Sequence, residues 1–174
     1  MSKQSPAWTY NGKELTLFVR PSPLAVRMVL FVFAFLPPLV VFSIMIWTIV
    51  ENSFSPGILI GFAAALFVSS RILRMALWNS IGKEHISIAG NTISYQPDYG
   101  WMKGKLSEKL MEPLSFGLVL DTYAEDGFGR LRVGTGENEL ICATKIRISE
   151  LEDLLEELEK EYPVDWGVTQ EELI

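Results

Sequence analysis

Between Met28 and Val50 the chain reads MVLFVFAFLPPLVVFSIMIWTIV, 23 residues without a charge. As a helix this run reaches roughly 34 Å, enough to cross a hydrocarbon layer of about 30 Å. A second uncharged run, FSPGILIGFAAALFVSS, covers Phe54 to Ser70. Its helix is expected to continue to about Trp78, with Arg71 and Arg74 reaching toward lipid headgroups. Only Glu51-Asn52-Ser53 separates the runs, so the two helices must be antiparallel neighbours. The competing reading, a buried helical pair in a soluble protein, fails on size. A chain of 174 residues has too little other surface to cover both.

Basic residues set the expected orientation. Lys13, Arg20 and Arg27 precede the first run, Arg71, Arg74 and Lys83 follow the second, and the link carries Glu51 and no base. Both termini are therefore expected in the cytoplasm, with the membrane crossed twice and the link on the far side. Arg27, Trp47, Arg71, Arg74 and Trp78 are the expected membrane-interface residues. No signal peptide is read, because the first apolar run is too long for one. Pro37-Pro38 lies mid-run and removes two backbone donors, which predicts a kink or break. That kink either shapes the hairpin or marks a contact. Gly57, Gly61, Ala65 and Ser69 form a small-residue stripe at spacing four, which lets helix backbones approach closely. The stripe packs either on the chain's own first helix or on another membrane subunit. Neither run carries an Asp, Glu, Lys or His, so transport and proton relay are not expected.

After Trp78 the hydrophobic period changes to two. Ile86 and Ile88 alternate with His85 and Ser87, Gly90-Asn91 is a tight-turn pair, and Ile93 and Tyr95 continue on the return strand. Lys105 to Pro113 reads as a strand, with a short helix as the alternative. Phe116 to Tyr123 reads as a further strand, ending at the turn Glu125-Asp126-Gly127. Arg130–Val133 and Glu139–Thr144 read as a hairpin about Gly134-Thr135-Gly136. Then the period becomes helical: Leu151, Leu154, Leu155, Leu158 and Tyr162 make one apolar stripe, opened by a Ser149–Glu152 capping box and ended by Pro163. Upstream, TYNGKELTLFV has a turn at Asn11-Gly12, with Leu15, Leu17 and Val19 alternating after it. These strands are expected to pair with the later sheet through residues 14–20. Ser149 to Ile174 holds ten acids and one base, against a net charge of −6 for the whole chain. Such an acidic end argues against a nucleic-acid partner and reads by default as a solvated face.

The stretch LWNSIGKEHISIAGNTISY resembles the start of the bacterial pleckstrin-homology-like domains found in small membrane-anchored proteins. Trp78 followed by Gly82, Lys83 and Glu84 carries that resemblance. GRLRVGTGENELICATKIRISELEDLLEEL resembles the same family's last hairpin and helix. The resemblance covers roughly residues 70–162. It implies a membrane α+β protein: a two-helix transmembrane hairpin and a bent antiparallel barrel or sandwich capped by a C-terminal amphipathic helix. The domains expected are a cytoplasmic β segment at 1–24, the transmembrane hairpin at 25–78, the pleckstrin-homology-like domain at 79–162 and an acidic tail at 163–174. In plan the chain is also similar to the two-span photosystem I assembly factor of oxygenic phototrophs. The pleckstrin-homology-like resemblance implies no family-wide catalytic residues.

The residues themselves offer no active site. His85 is the only histidine and sits in a predicted strand, and Cys142, the lone cysteine, is expected to be buried. A metal site needs three or four clustered ligands, and the Gly127 and Gly134 turns lack the Lys-Ser/Thr that a phosphate loop requires. No catalytic residue, metal, cofactor or small-molecule substrate is expected. The function expected is a non-catalytic accessory, scaffold or assembly subunit of a larger bacterial membrane protein complex. The alternative is a self-standing adaptor that binds a lipid headgroup or a peptide.

Overall fold

The computed structural model describes residues 6–51, 55–120, 127–135 and 139–170. The chain forms two compact units: residues up to Arg20 together with Ile81 onward, and Pro21–Ser80. The links expected at Glu51-Asn52-Ser53, Glu125-Asp126-Gly127 and Gly134-Thr135-Gly136 lie partly outside the described residues.

Pro21–Ser80 is a pair of helices, α1 (Leu24–Val50) and α2 (Pro56–Ile81, whose last residue belongs to the other unit). Both are long and apolar enough to cross a membrane. Pro56 opens α2, where a missing N–H costs nothing. Of the kink or break expected at Pro37-Pro38, there is no break: α1 runs through both prolines as one helix. The two prolines withhold the donors that the Phe33 and Ala34 carbonyls would take. The Phe42 and Phe62 rings meet with centroids 6.1 Å apart. At the base, Ser22 N donates to the Asn79 carbonyl at 2.9 Å and Ser22 Oγ to Asn79 Oδ1 at 2.9 Å.

This pair covers little of itself. In each helix only 6% of the most apolar 18-residue window is buried. Sixteen large apolar side chains of α1 stand exposed, from Leu24 to Val50. Fully burying one such side chain is worth roughly 1.5–3 kcal/mol, and these are about half exposed, so the sum is on the order of 12–25 kcal/mol. A folded domain is stable by only about 5–15 kcal/mol. Contiguous exposed apolar surface on this scale is of the kind that an apolar phase or partner covers.

The other unit contains two sheets. The first has the order β1-β2-β3-β4-β5: Trp8–Tyr10, Glu14–Phe18, Lys83–Ala89, Thr92–Asp98 and Ser107–Leu110. All its pairings are antiparallel. The expected hairpins turn at Gly12 and Gly90, both at positive φ. β2 joins β3 with Leu15 opposite Ile86, Leu17 opposite Glu84 and Phe18 opposite Lys83. The pairing expected for residues 14–20 is thus present, and it closes across both apolar helices.

The second sheet has the order β8-β7-β6-β9: Leu140–Arg147, Phe128–Val133, Phe116–Leu120 and Val164–Gln170. The two sheets do not close into a barrel. One core lies between them, with Leu15, Leu17 and Ile86 from the first sheet and Phe116, Leu131 and Ile146 from the second. The helix α3 (Ile148–Glu159) adds Leu151, Leu154, Leu155 and Leu158, all fully buried. The predicted leucine stripe is therefore the core face of α3.

Three local expectations need correction. The Ser149–Glu152 capping box does not form. The helix start lies two residues earlier, with Arg147 rather than Ser149 at the cap position and no side-chain cap. The carbonyl of Gly127 accepts the Ile148 N–H at 3.0 Å and so supplies a partner for one free donor. Secondly, α3 does not finish the fold, because 164–170, read as part of the acidic tail, forms β9. Thirdly, β9 runs parallel to β6, so this sheet is mixed rather than antiparallel.

A salt bridge across β6 holds β9. Arg132 on β7 is buried and donates through Nη2 to Asp165 Oδ2 at 2.5 Å. Its guanidinium passes over Gly117 on β6, where a Cβ would lie 2.9 Å from Arg132 Nη2 and 3.1 Å from the Asp165 carbonyl oxygen. Gly117 is what opens this route. The N-terminal strands are tied to the region of α3 in a similar way. Trp8 Nε1 donates to the Glu150 carbonyl at 2.9 Å, Arg20 Nη2 to both Glu150 carboxylate oxygens at 2.9 Å, and Tyr10 OH to Glu161 Oε2 at 2.7 Å. Burial and the Glu161 bond raise the Tyr10 phenol above its usual pKa, so it remains a donor.

Gly117→Val should destabilise the β unit by about 1–3 kcal/mol by crowding the Arg132 route. Hydrogen exchange checks this: amides of Val164–Trp166 should lose protection before those of β3 and β4. Unchanged protection in β9 would show that the Arg132–Asp165 pair does not secure it.

Candidate functional site

The strongest polar constellation in the β unit centres on Glu84. β3 turns Glu84, Ile86 and Ile88 to the core and Lys83, His85 and Ser87 away from it. Glu84 is fully buried. Its Oε1 accepts from Tyr95 OH at 2.6 Å and from Ala143 N at 2.8 Å, and its Oε2 accepts from Thr144 N at 3.1 Å. A strand-3 carboxylate therefore binds two backbone amides of β8, in the opposite sheet. Three donors account for a charge whose burial would otherwise cost several kcal/mol. Burial, and then the Glu84 charge, raise the Tyr95 phenol above its usual pKa. Burial also pushes the Cys142 thiol well up, with Glu84 adding to it. Both groups stay protonated at neutral pH, so the Cys142 thiol lacks the thiolate that nucleophilic chemistry needs.

The outer face of the first sheet carries a different cluster. His85 Nδ1 lies 3.2 Å from Thr16 Oγ1, and His85 Nε2 lies 3.4 Å from Asp98 Oδ2. An open groove of about 250 Å³ runs beside them, lined by Glu14, His85, Ser94, Gln96, Lys103 and Leu106. Its walls are of mixed polarity, which suits an extended polar segment better than an apolar ligand. Among the described residues no group of three or more His, Cys, Asp or Glu is placed to hold a metal ion.

The residues singled out in the sequence divide between the two units. Gly82 is buried and its carbonyl accepts from Val19 N at 3.0 Å, which extends the β2–β3 ladder toward the helices. Lys83 is exposed, with Nζ 5.3 Å from the Phe18 ring centroid. Trp78 is half-buried near the end of α2. Along α2 the small-residue stripe is split: Ser69 is buried and Ala65 half-buried, but Gly57 and Gly61 are exposed. A Cβ added at Gly61 would meet nothing within 4 Å. Arg71 and Arg74 are exposed, Arg71 lying 5.2 Å from the Phe67 ring, and Arg27 is half-buried. Trp47 is 66% exposed and lines an apolar hollow with Val50 and Glu51.

Sequence reading placed Glu84 only as part of a motif and missed its inward direction. The signal was present, since Glu84 shares the parity of Ile86 and Ile88. The Arg132–Asp165 pair had no such signal, because its partners come from strands whose adjacency only the tertiary structure sets. No protein-family model matches the chain, and no curated protein matches it in sequence.

Glu84→Ala should leave two β8 amides and the Tyr95 hydroxyl without a partner, costing about 3 kcal/mol or more. Urea unfolding of the detergent-solubilised chain, followed by circular dichroism, would show it as a lowered midpoint. A midpoint within error of wild type would remove Glu84 as the link between sheets. The Cys142 thiol should react with a maleimide far more slowly in the native chain than after unfolding, at pH 7 and at pH 8 alike. Equal rates in the two states would contradict its burial.

Proposed function

We propose that the chain is a non-catalytic accessory, scaffold or assembly subunit of a larger bacterial membrane protein complex. Its two apolar helices cross the inner membrane, and both termini lie in the cytoplasm. The observation that carries this reading is the uncovered helix pair. Lipid accounts for most of that surface, but Gly57 and Gly61 leave a shallow strip on α2 that the first helix does not fill. A strip of that kind admits the backbone of a foreign helix.

Pairing of β2 with β3 supports two crossings, since both ends of the hairpin feed one sheet. The excess of Lys and Arg beside those ends favours the cytoplasmic side. The β unit, with its two sheets and packed helix, serves on this reading as a pleckstrin-homology-like docking module. Its buried ionisable groups are engaged structurally: Glu84 bonds across to β8 and accepts from Tyr95, Arg132 holds β9 within its own sheet, and Cys142 is packed in the core. The mixed-polarity groove beside His85 favours a second reading, an adaptor that takes a peptide segment there.

Purification in mild detergent separates the two. An accessory subunit should co-purify in fixed ratio with larger membrane proteins. Gly61→Leu should cut that yield severalfold while leaving the chain's own thermal unfolding unchanged, because the added side chain meets nothing internal. Undiminished yield with Gly61→Leu would remove the α2 strip as the contact. Release as a monodisperse small protein would favour the adaptor.

A further inference from the structure

Trp101 is the most exposed large apolar side chain among the described residues, at 79%. It stands on a braced loop between β4 and β5. Tyr99 N donates to the Met102 carbonyl at 2.8 Å, Gly104 N to the Pro97 carbonyl at 2.7 Å, and Gly100 N to Asp98 Oδ1 at 2.7 Å. Gln96 Nε2 adds a bond to the Gly104 carbonyl at 3.2 Å. Gly100 has φ +86, and a Cβ there would overlap the Ile81 side chain. The loop backbone thus lies flush on Ile81, the last residue of α2. A tryptophan held outward by this many backbone bonds is presented to something.

Its neighbours indicate what. The loop itself, WMKGKL from Trp101 to Leu106, carries Lys103 and Lys105 and no acid. Leu106 is 50% exposed. An exposed indole with a leucine and two lysines is the composition that favours a membrane interface, with the ring among headgroups and ammonium groups on lipid phosphates. Ile81 is where the chain leaves α2, so the loop needs no long reach to meet that interface.

We propose that the Trp101 loop docks on acidic phospholipid headgroups beside the point where α2 leaves the bilayer. The docking fixes the β unit against the membrane. This rests on the reading of α1 and α2 as membrane-crossing helices.

The test uses the full chain in nanodiscs of phosphatidylcholine alone or of equal parts phosphatidylcholine and phosphatidylglycerol. Each disc is made with and without chain-brominated lipid, which quenches nearby tryptophan. Co-elution of chain and disc is established first. The Trp101 signal is the difference between wild type and Trp101→Phe. Quenching of that difference should be strong in acidic discs and weak in neutral ones. Lys103→Gln and Lys105→Gln should each shift the docked-to-undocked ratio about fivefold toward undocked. Equal quenching in both lipids, or none in either, with the chain in the discs, overturns the docking alone. A chain that elutes apart from the discs overturns the membrane reading and the docking with it.

Discussion

The pairing of β2 with β3 is the constraint on which the rest depends. Phe18 sits opposite Lys83, and residues 19–82 lie between them. Everything in the apolar helices is therefore an excursion that begins and ends in one sheet. The ladder extends past the strands, through Val19 to Gly82, and Ser22 to Asn79 closes the base of the helix pair. Closing so long a loop carries an entropic cost that grows slowly with its length. Two antiparallel helices of nearly equal length shorten the effective span, because they return the chain to its starting point. A membrane crossed twice would leave both strands on the same side of it, where they can pair.

Glu84 joins this ladder to the second sheet. Two sheets packed face to face need only apolar side chains between them, and those do not fix one alignment uniquely. A buried carboxylate that must accept from Ala143, Thr144 and Tyr95 is satisfied in one arrangement only. Displacing β8 by a residue would leave a charge uncompensated, at a cost of several kcal/mol. Arg132 and Asp165 do for β9 what Glu84 does for β8. Both are polar fastenings at the margins of an apolar core.

The consequence for function is a division of labour. The β unit is fastened internally, and its outward features are the groove beside His85, the Trp101 loop and the acidic side of α3. The helix pair holds the opposite character, with most of its apolar surface outward. On the proposed reading such a chain works by contact, its helices with lipid or other helices and its β unit with whatever lies at the membrane surface. The proposed accessory role and the proposed lipid docking both follow from surface rather than from a cavity with convergent reactive groups.

Local periodicity made much of this legible. The uncharged runs gave α1 and α2, alternation about Gly90 gave β3 and β4, and the Leu151–Leu158 stripe gave α3 and its buried face. Those patterns are short-range, since each element must hide one side of itself whatever it packs against. Strand β9 was passed over although VDWGVTQ alternates Val164, Trp166 and Val168 with polar residues, because it sits in an acid-rich end and its partner β6 lies more than forty residues away. The capping of α3 was misread for a related reason: the partner of the Ile148 amide is the carbonyl of Gly127, not a neighbouring side chain. The meaning of Glu84 also waited on the tertiary structure. Parity alone could place its side chain inward, but only the approach of β8 supplies the two amides that let a charge remain there.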